Sequence, residues 1–151
     1  MKRGHRFEPL SIEAASKRHG KSFKSCGMLA SESMKDFKYS PDAIHLSEEG
    51  ILFGGYETKS KMGKKHIEYI LKDEVPPEHL MQCLAPMIMY DSVRWWLFGH
   101  YDDRNKINSL FTKGIRRSDY EEFINVARVE LANFFAEVDK TVEKMGGTYD
   151  Q

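Results

Sequence analysis

The sequence predicts a mixed α/β fold: a small mixed β-sheet with helices packed on both faces. Three observations carry this. Helical and strand-like patterns alternate along the chain in the order helix, strands, helices, strands, long helix. The run at 93–101, VRWWLFGHY, is apolar on both faces, as a central strand covered on both sides would be. From 117 to 145, apolar residues recur every three or four positions, the period of an amphipathic helix.

The elements follow in order. Residues 3–19 read as a helix with a loose apolar face of Phe7, Leu10, Ile12, Ala14 and Ala15. Pro9 sits in its first turn or kinks it, and Gly20 ends it. Residues 22–27 read as loop. The stretch 28–38 has no clear period, but Phe37-Lys38-Tyr39 reads as a short strand leading into Pro41. Two strand-like runs, 43–46 and 51–59, flank the turn Ser47-Glu48-Glu49-Gly50 and form a hairpin. Met62-Gly63 breaks it, and 64–73 reads as a short helix with Ile67, Ile70 and Leu71 on one side.

Val75-Pro76-Pro77-Glu78 starts a helix running to about 91, with proline at its first position. It is apolar nearly all round, hence buried, and Pro86 should bend it. After the aromatic strand, Asp102-Asp103-Arg104-Asn105 is a turn and 107–112 a shorter strand. The long helix takes Ser118 as its N-cap, with Glu121 completing a capping box, and Gly146-Gly147 as its stop. Nothing marks a linker, so 1–151 is expected to be one domain with a frayed tail at 146–151.

The totals narrow the class. A chain of 151 residues with 40% apolar and 30% charged residues has the makeup of a globular protein. No run approaches the ~18 apolar residues of a membrane span, and the charged N-terminus is not followed by the apolar core of a secretory signal. Two cysteines, Cys26 and Cys83, are too few for a disulfide framework, and the cytoplasm is the simplest compartment. The net charge is zero but unevenly spread: residues 1–65 carry 13 Lys/Arg against 8 Asp/Glu. Such a basic half suits a polyanionic substrate, although ordinary charge scatter would look the same.

The candidate chemistry lies in that basic half. Asp42 follows Pro41 at the start of the hairpin, and Glu57-Thr58-Lys59 closes it. Side chains alternate along a strand, so Glu57 and Lys59 share a face, and the turn at Glu49-Gly50 can fold Asp42 back beside them. Two carboxylates that close repel unless a cation lies between them, and a hard divalent ion such as Mg²⁺ suits oxygen ligands. The plain alternative is a solvated edge hairpin. Trp95 and Trp96 read as core packing rather than platforms for stacked bases, and the six histidines show no ligand spacing.

An ordered set extends the pattern. Gly4-x-x-x-Glu8 lies on the opening helix, then come Ser40-Pro41-Asp42 and Glu57-Thr58-Lys59. Val75-Pro76 follows, ahead of a helix carrying Gln82, and an aromatic strand ends in Tyr101-Asp102-x-Arg104. This set resembles the lambda exonuclease-like (YqaJ-type) viral recombinases of the PD-(D/E)xK nuclease superfamily, over roughly residues 2–145.

The resemblance implies a restriction-endonuclease-like core and a Mg²⁺-dependent DNA exonuclease, with Mn²⁺ as an alternative and two ions bound. Asp42 and Glu57 would be the metal-binding carboxylates, the Thr58 carbonyl would complete the shell, and Glu8 would help hold the second ion. Lys59 would orient or deprotonate the attacking water, and Gln82 would stand near it. Lys61, Lys64 and Lys65 flank the site as candidates for phosphate contacts, against a plain solvated cluster. The implied partners are double-stranded DNA, a single-strand-annealing protein and further copies of the chain, with a trimeric ring expected. The implied setting is the cytoplasm of a bacterial host. Family members carry residues ahead of the first helix that help form the DNA channel and a 5′-phosphate pocket. Here the sequence opens on that helix, and Ala43 stands where glycine is usual.

Overall fold

The computed structural model describes residues 2–31, 33, 34, 36–60 and 63–147, with side chains from Phe7 onward. The elements are α1 (Lys2–His19), β1 (Leu29–Ala30), β2 (Lys38–Tyr39), β3 (Ala43–Leu46), β4 (Leu52–Lys59), α2 (Gly63–Lys72), α3 (Pro77–Met89), β5 (Trp95–Tyr101), β6 (Leu110–Arg116), a 3₁₀ turn (Arg117–Asp119) and α4 (Glu121–Lys144). The main sheet has the strand order β3-β4-β5-β6. β4 and β5 run parallel, and both outer pairs are antiparallel. β1 and β2 pair as a separate small ribbon. The mixed sheet and its flanking helices are as the sequence predicts.

Side-chain alternation divides the core between the two faces of the sheet. Tyr56 on β4 and Leu97 on β5 pack with Ala15, Phe23 and Leu110 beneath α1. Trp96 and Phe98 point the other way, into Cys83, Leu84, Met87 and Ile88 of α3 and Ile124 of α4. Each large apolar side chain buried there contributes about 1.5–3 kcal/mol. Both indoles require glycine on β4: a Cβ at Gly54 would overlap Trp95, and one at Gly55 would overlap Trp96. The Gly-Gly step is therefore a packing device inside the strand.

Three features differ from expectation. The last strand covers Leu110–Arg116 rather than 107–112. Asn105 explains the late start, because its side-chain oxygen accepts the N–H groups of Ile107 and Asn108 and holds them in a turn. Ile107 is 99% exposed.

The capping box at Ser118 does not form. Ser118 Oγ donates to Asp119, and α4 starts at Glu121 without a side-chain cap. Arg117 is the cause: its buried guanidinium donates to the carbonyls of Met87, Val93 and Tyr90, which draws this segment into a 3₁₀ turn.

The apolar stripe of α4 is also less covered than its period suggests. Ile124 is buried and Ala127, Leu131 and Phe135 pack on the core, while Phe134 is 58% exposed. Gly146 ends the helix in the left-handed region, φ 76°, as expected. Lys61 and Met62 lie outside the described residues. Among the described residues, no helix is long and apolar enough to cross a membrane.

Candidate active site

Pro41 and Asp42 stand immediately before β3, whose first residue pairs with Tyr56. That register carries Asp42 up to the end of β4. Its Oδ2 accepts the backbone N–H of Thr58 at 2.7 Å. Glu57 pairs with Phe98 and shares its face of the sheet, toward α3, and Lys59 follows two residues on along the same face. The Lys59 ammonium is paired with Glu57 Oε1, and the Tyr39 hydroxyl donates to Glu57 Oε2 at 2.7 Å. Glu57 is 3% exposed, so both its oxygens are held within the protein. Burial and the Glu57 charge push the Asp42 carboxyl up to about 6. The Thr58 N–H and Lys59 oppose that shift, and Glu8 adds to it.

The position of Glu8 follows from a clamp one turn further along α1. Ser11 is fully buried, and its hydroxyl bonds Tyr56 OH at 2.7 Å and Thr58 Oγ1 at 2.6 Å. Residues three apart on a helix share a face, so fixing Ser11 against β4 directs Glu8 toward Asp42. The aspartate thus feels two acids and one base.

Of the remaining expected residues, Gln82 lies on α3, and Lys64 and Lys65 lie on α2. Gln82 is exposed on α3, and its Oε1 is 3.2 Å from His79 Nδ1. His79 is itself buried and stacks on Phe98, the β5 neighbour of Glu57. Lys64 and Lys65 are exposed at the start of α2, with Lys65 paired to Glu68 at 3.1 Å. Lys61 lies outside the described residues.

Three site neighbours escaped the sequence reading. Tyr39 carries no signal beyond standing just ahead of Ser40-Pro41-Asp42. Ser11 looks like any helix serine. Cys83 looks like a core residue, yet it senses the charges of Glu57, Lys59 and Asp42, and burial holds its thiol well above the ordinary range.

The donor chemistry fits a hard cation. Two carboxylates lie near one strand end, and burial, together with the charge of Glu57, raises the proton affinity of Asp42. Asp42, Glu57 and the Thr58 carbonyl are the groups that could hold such an ion. Glu8 acts on Asp42 through its charge, and no group of three or more His, Cys, Asp or Glu gathers at metal-binding spacing among the described residues.

No protein-family model matches the chain, and no curated protein matches it in sequence. Solved structures do. An alkaline exonuclease from Laribacter hongkongensis, LHK-Exo, superposes with a TM-score of 0.81 at 26% identity, over 97% of this chain and 72% of that one. The structure of LHK-Exo in complex with dAMP superposes at 0.68 with 23% identity, over 96% and 74%, a likeness of fold. The structural neighbours are alkaline exonucleases. The mixed four-stranded sheet and its flanking helices thus match the fold of an alkaline exonuclease, and Glu57 lies near the end of β4.

Proposed function

We propose that this chain is a metal-dependent exonuclease that hydrolyses linear double-stranded DNA and leaves single-stranded tails for an annealing protein. The observation that carries the reading is the convergence of Asp42, Glu57 and Lys59 at one strand end of an alkaline-exonuclease fold. The bound dAMP of LHK-Exo is a nucleoside monophosphate, the kind of product an exonuclease releases.

Each residue has a task. Asp42 and Glu57, with the Thr58 carbonyl, would hold Mg²⁺, or Mn²⁺ in its place, and Glu8 would help hold a second ion. The metal supplies charge neutralisation at the phosphate and lowers the pKa of bound water. The Thr58 N–H fixes the rotamer of Asp42, and Tyr39 fixes that of Glu57. Lys59, beside the buried Glu57, would orient the attacking water as an ammonium or, as the neutral amine, take its proton. Gln82, Lys64 and Lys65 are exposed on α3 and α2; Gln82 would stand near the attacking water, and Lys64 and Lys65, with Lys61, would contact the DNA phosphates. A reducing cytoplasm suits the two free thiols. Copies arranged as a ring, a trimer by family resemblance, would turn their basic halves to the duplex; light scattering that gives only monomer, with and without DNA, would remove this part.

The test is Mg²⁺-dependent release of nucleotides from linear duplex. Lys59→Ala should abolish it, and a closed circle should be spared. Cutting of the circle would replace the exonuclease with an endonuclease on the same scaffold. Equal release by wild type and Lys59→Ala would mean a contaminant and leave a DNA-binding module.

A further inference from the structure

The end of the sheet away from Lys59 carries a second surface that the reaction does not use. Trp95 opens β5 and Arg116 closes β6, and the two are cross-strand partners. Trp96 is fully buried, whereas Trp95 is only half-buried. The Trp95 indole rests on Gly54, with His45 5.4 Å and Phe23 6.1 Å from it, centroid to centroid. The Lys21 ammonium stands 4.8 Å from the centre of the ring.

Beside Trp95 opens a cleft of about 410 Å³ lined by Arg94, Trp95, Arg116, Arg117, Ser118 and Glu121. Its one carboxylate, Glu121, lies 3.7 Å from the Arg117 guanidinium, which is itself buried among backbone carbonyls. Arg94 and Arg116 are exposed, and neither they nor Lys21 has an ion-pair partner among the described residues. Three cations without a close ion-pair partner thus lie near one partly exposed indole: Lys21 over its ring, and Arg94 and Arg116 lining the same cleft.

We propose that this surface binds a single strand of nucleic acid, with a base stacked on Trp95 and the adjoining phosphates on Lys21, Arg94 and Arg116. Unpaired strands are held in this way, by aromatic platforms inside basic grooves. A duplex is disfavoured because its base faces are already stacked on one another. Lys21, on a flexible chain, can leave the ring for a phosphate as a base arrives.

The surface is distinct from the carboxylate site. Trp95 is level with Gly54, three residues before Glu57 and so about 10 Å back along β4, and it points to the opposite face. The proposal rests on the nuclease reading for its biological ligand: the strand held there is the one that resection leaves intact.

The experiment titrates full-length protein with an oligothymidine of about twelve nucleotides, within the span of single-strand sites. It is done in EDTA so that nothing is cut, and it follows tryptophan fluorescence. Stacking on Trp95 should quench the emission. Trp95→Phe keeps an aromatic ring against Phe23 and His45; it should lose the quench and weaken binding several-fold. The pair Arg94→Glu and Arg116→Glu should weaken binding at least ten-fold. Replacing both with alanine should reduce the salt slope by about 1.4, or 0.7 per phosphate contact. Thermal melts show that each variant is folded. Unchanged affinity in the charge-reversed protein would overturn the proposal. So would tighter binding of a duplex of equal length, or equal competition by polyglutamate, which would mark a surface for an acidic protein. Because no metal is present, the titration judges this surface whether or not the chain cuts DNA; the nuclease reading stands or falls on the Mg²⁺ assay alone.

Discussion

Asp42 is poorly accommodated in the metal-free fold, and that makes it testable. Burial and Glu57 raise its pKa from 3.8 to about 6. The stability it contributes is therefore complete below the ordinary carboxylate value and is lost as the pH rises through about 6. Asp42→Asn keeps an oxygen for the Thr58 N–H and removes the charge. In EDTA at pH 8 we expect it to be more stable than wild type by about 1–2 kcal/mol, after allowance for partial exposure. The gain should disappear by about pH 4, while nuclease activity is lost at every pH. Urea melts at the two pH values check this. Tyr39→Phe tests the other carboxylate. Glu57 keeps Lys59 and loses one hydrogen bond, so we expect kcat to fall about ten-fold, equivalent to ~1.4 kcal/mol, with KM little changed. At this scale Asp42, Glu57 and Lys59 were legible, because a proline, a turn and strand alternation bring them together. Tyr39 was not, since its hydrogen bond depends on how the short β1–β2 ribbon docks, and no local pattern encodes that docking.

Between elements, two guanidinium groups do work that the sequence hides. The C-terminal end of α3 leaves carbonyls without helical partners. Arg117 caps those of Met87 and Tyr90, along with Val93 in the next segment, and Arg128 caps that of Ile88 at 2.8 Å. Both cations also complement the negative end of the helix dipole. Arg117→Ala would strand several buried acceptors, and we expect a loss of about 2–4 kcal/mol in a chemical melt, with Arg117→Lys recovering only part. This contact also explains where the sequence reading failed. Ser118 and Glu121 match a capping box, but that motif carries only about 1 kcal/mol, less than Arg117 secures by turning inward. The hairpin, the aromatic strand and α3 were legible because their patterns are local and their cores strongly apolar. The start of α4 was not, because a long-range set of hydrogen bonds overrode a local signal. Both tryptophans pack as core, as read: alternation puts them on opposite faces, with Trp96 fully buried in one cluster and Trp95 partly buried against the other.

For the whole molecule, two aspartates pull stability in opposite directions with pH, and a cation should remove one of the two trends. Arg104 grips Asp102 through Nε at 2.8 Å and Nη2 at 2.7 Å, and holds its carboxyl down to about 2. The stability Asp102 contributes is complete above the ordinary value of 3.8 and is lost as the pH falls toward 2. Asp42 acts in reverse on the alkaline side. Metal-free protein should accordingly be most stable between roughly pH 4 and 6, and weaken both below and above. A bound divalent ion replaces the proton that Asp42 would otherwise prefer. At a hundred times its Kd such an ion adds about 2.7 kcal/mol, so Mg²⁺ at pH 8 should raise Tm by about 5–10 °C for a chain of this size. At pH 5 protons compete for the same oxygen and the increment should shrink. In Asp42→Asn it should fall to a small fraction at either pH, because the variant lacks the charge and keeps only a neutral oxygen, which the Thr58 N–H engages. Melting curves with and without Mg²⁺ at both pH values measure this without any DNA. A wild-type Tm at pH 8 that does not respond to Mg²⁺ or Mn²⁺ would leave Asp42 and Glu57 as a strained pair without a cation, and the metal-dependent reading could not stand.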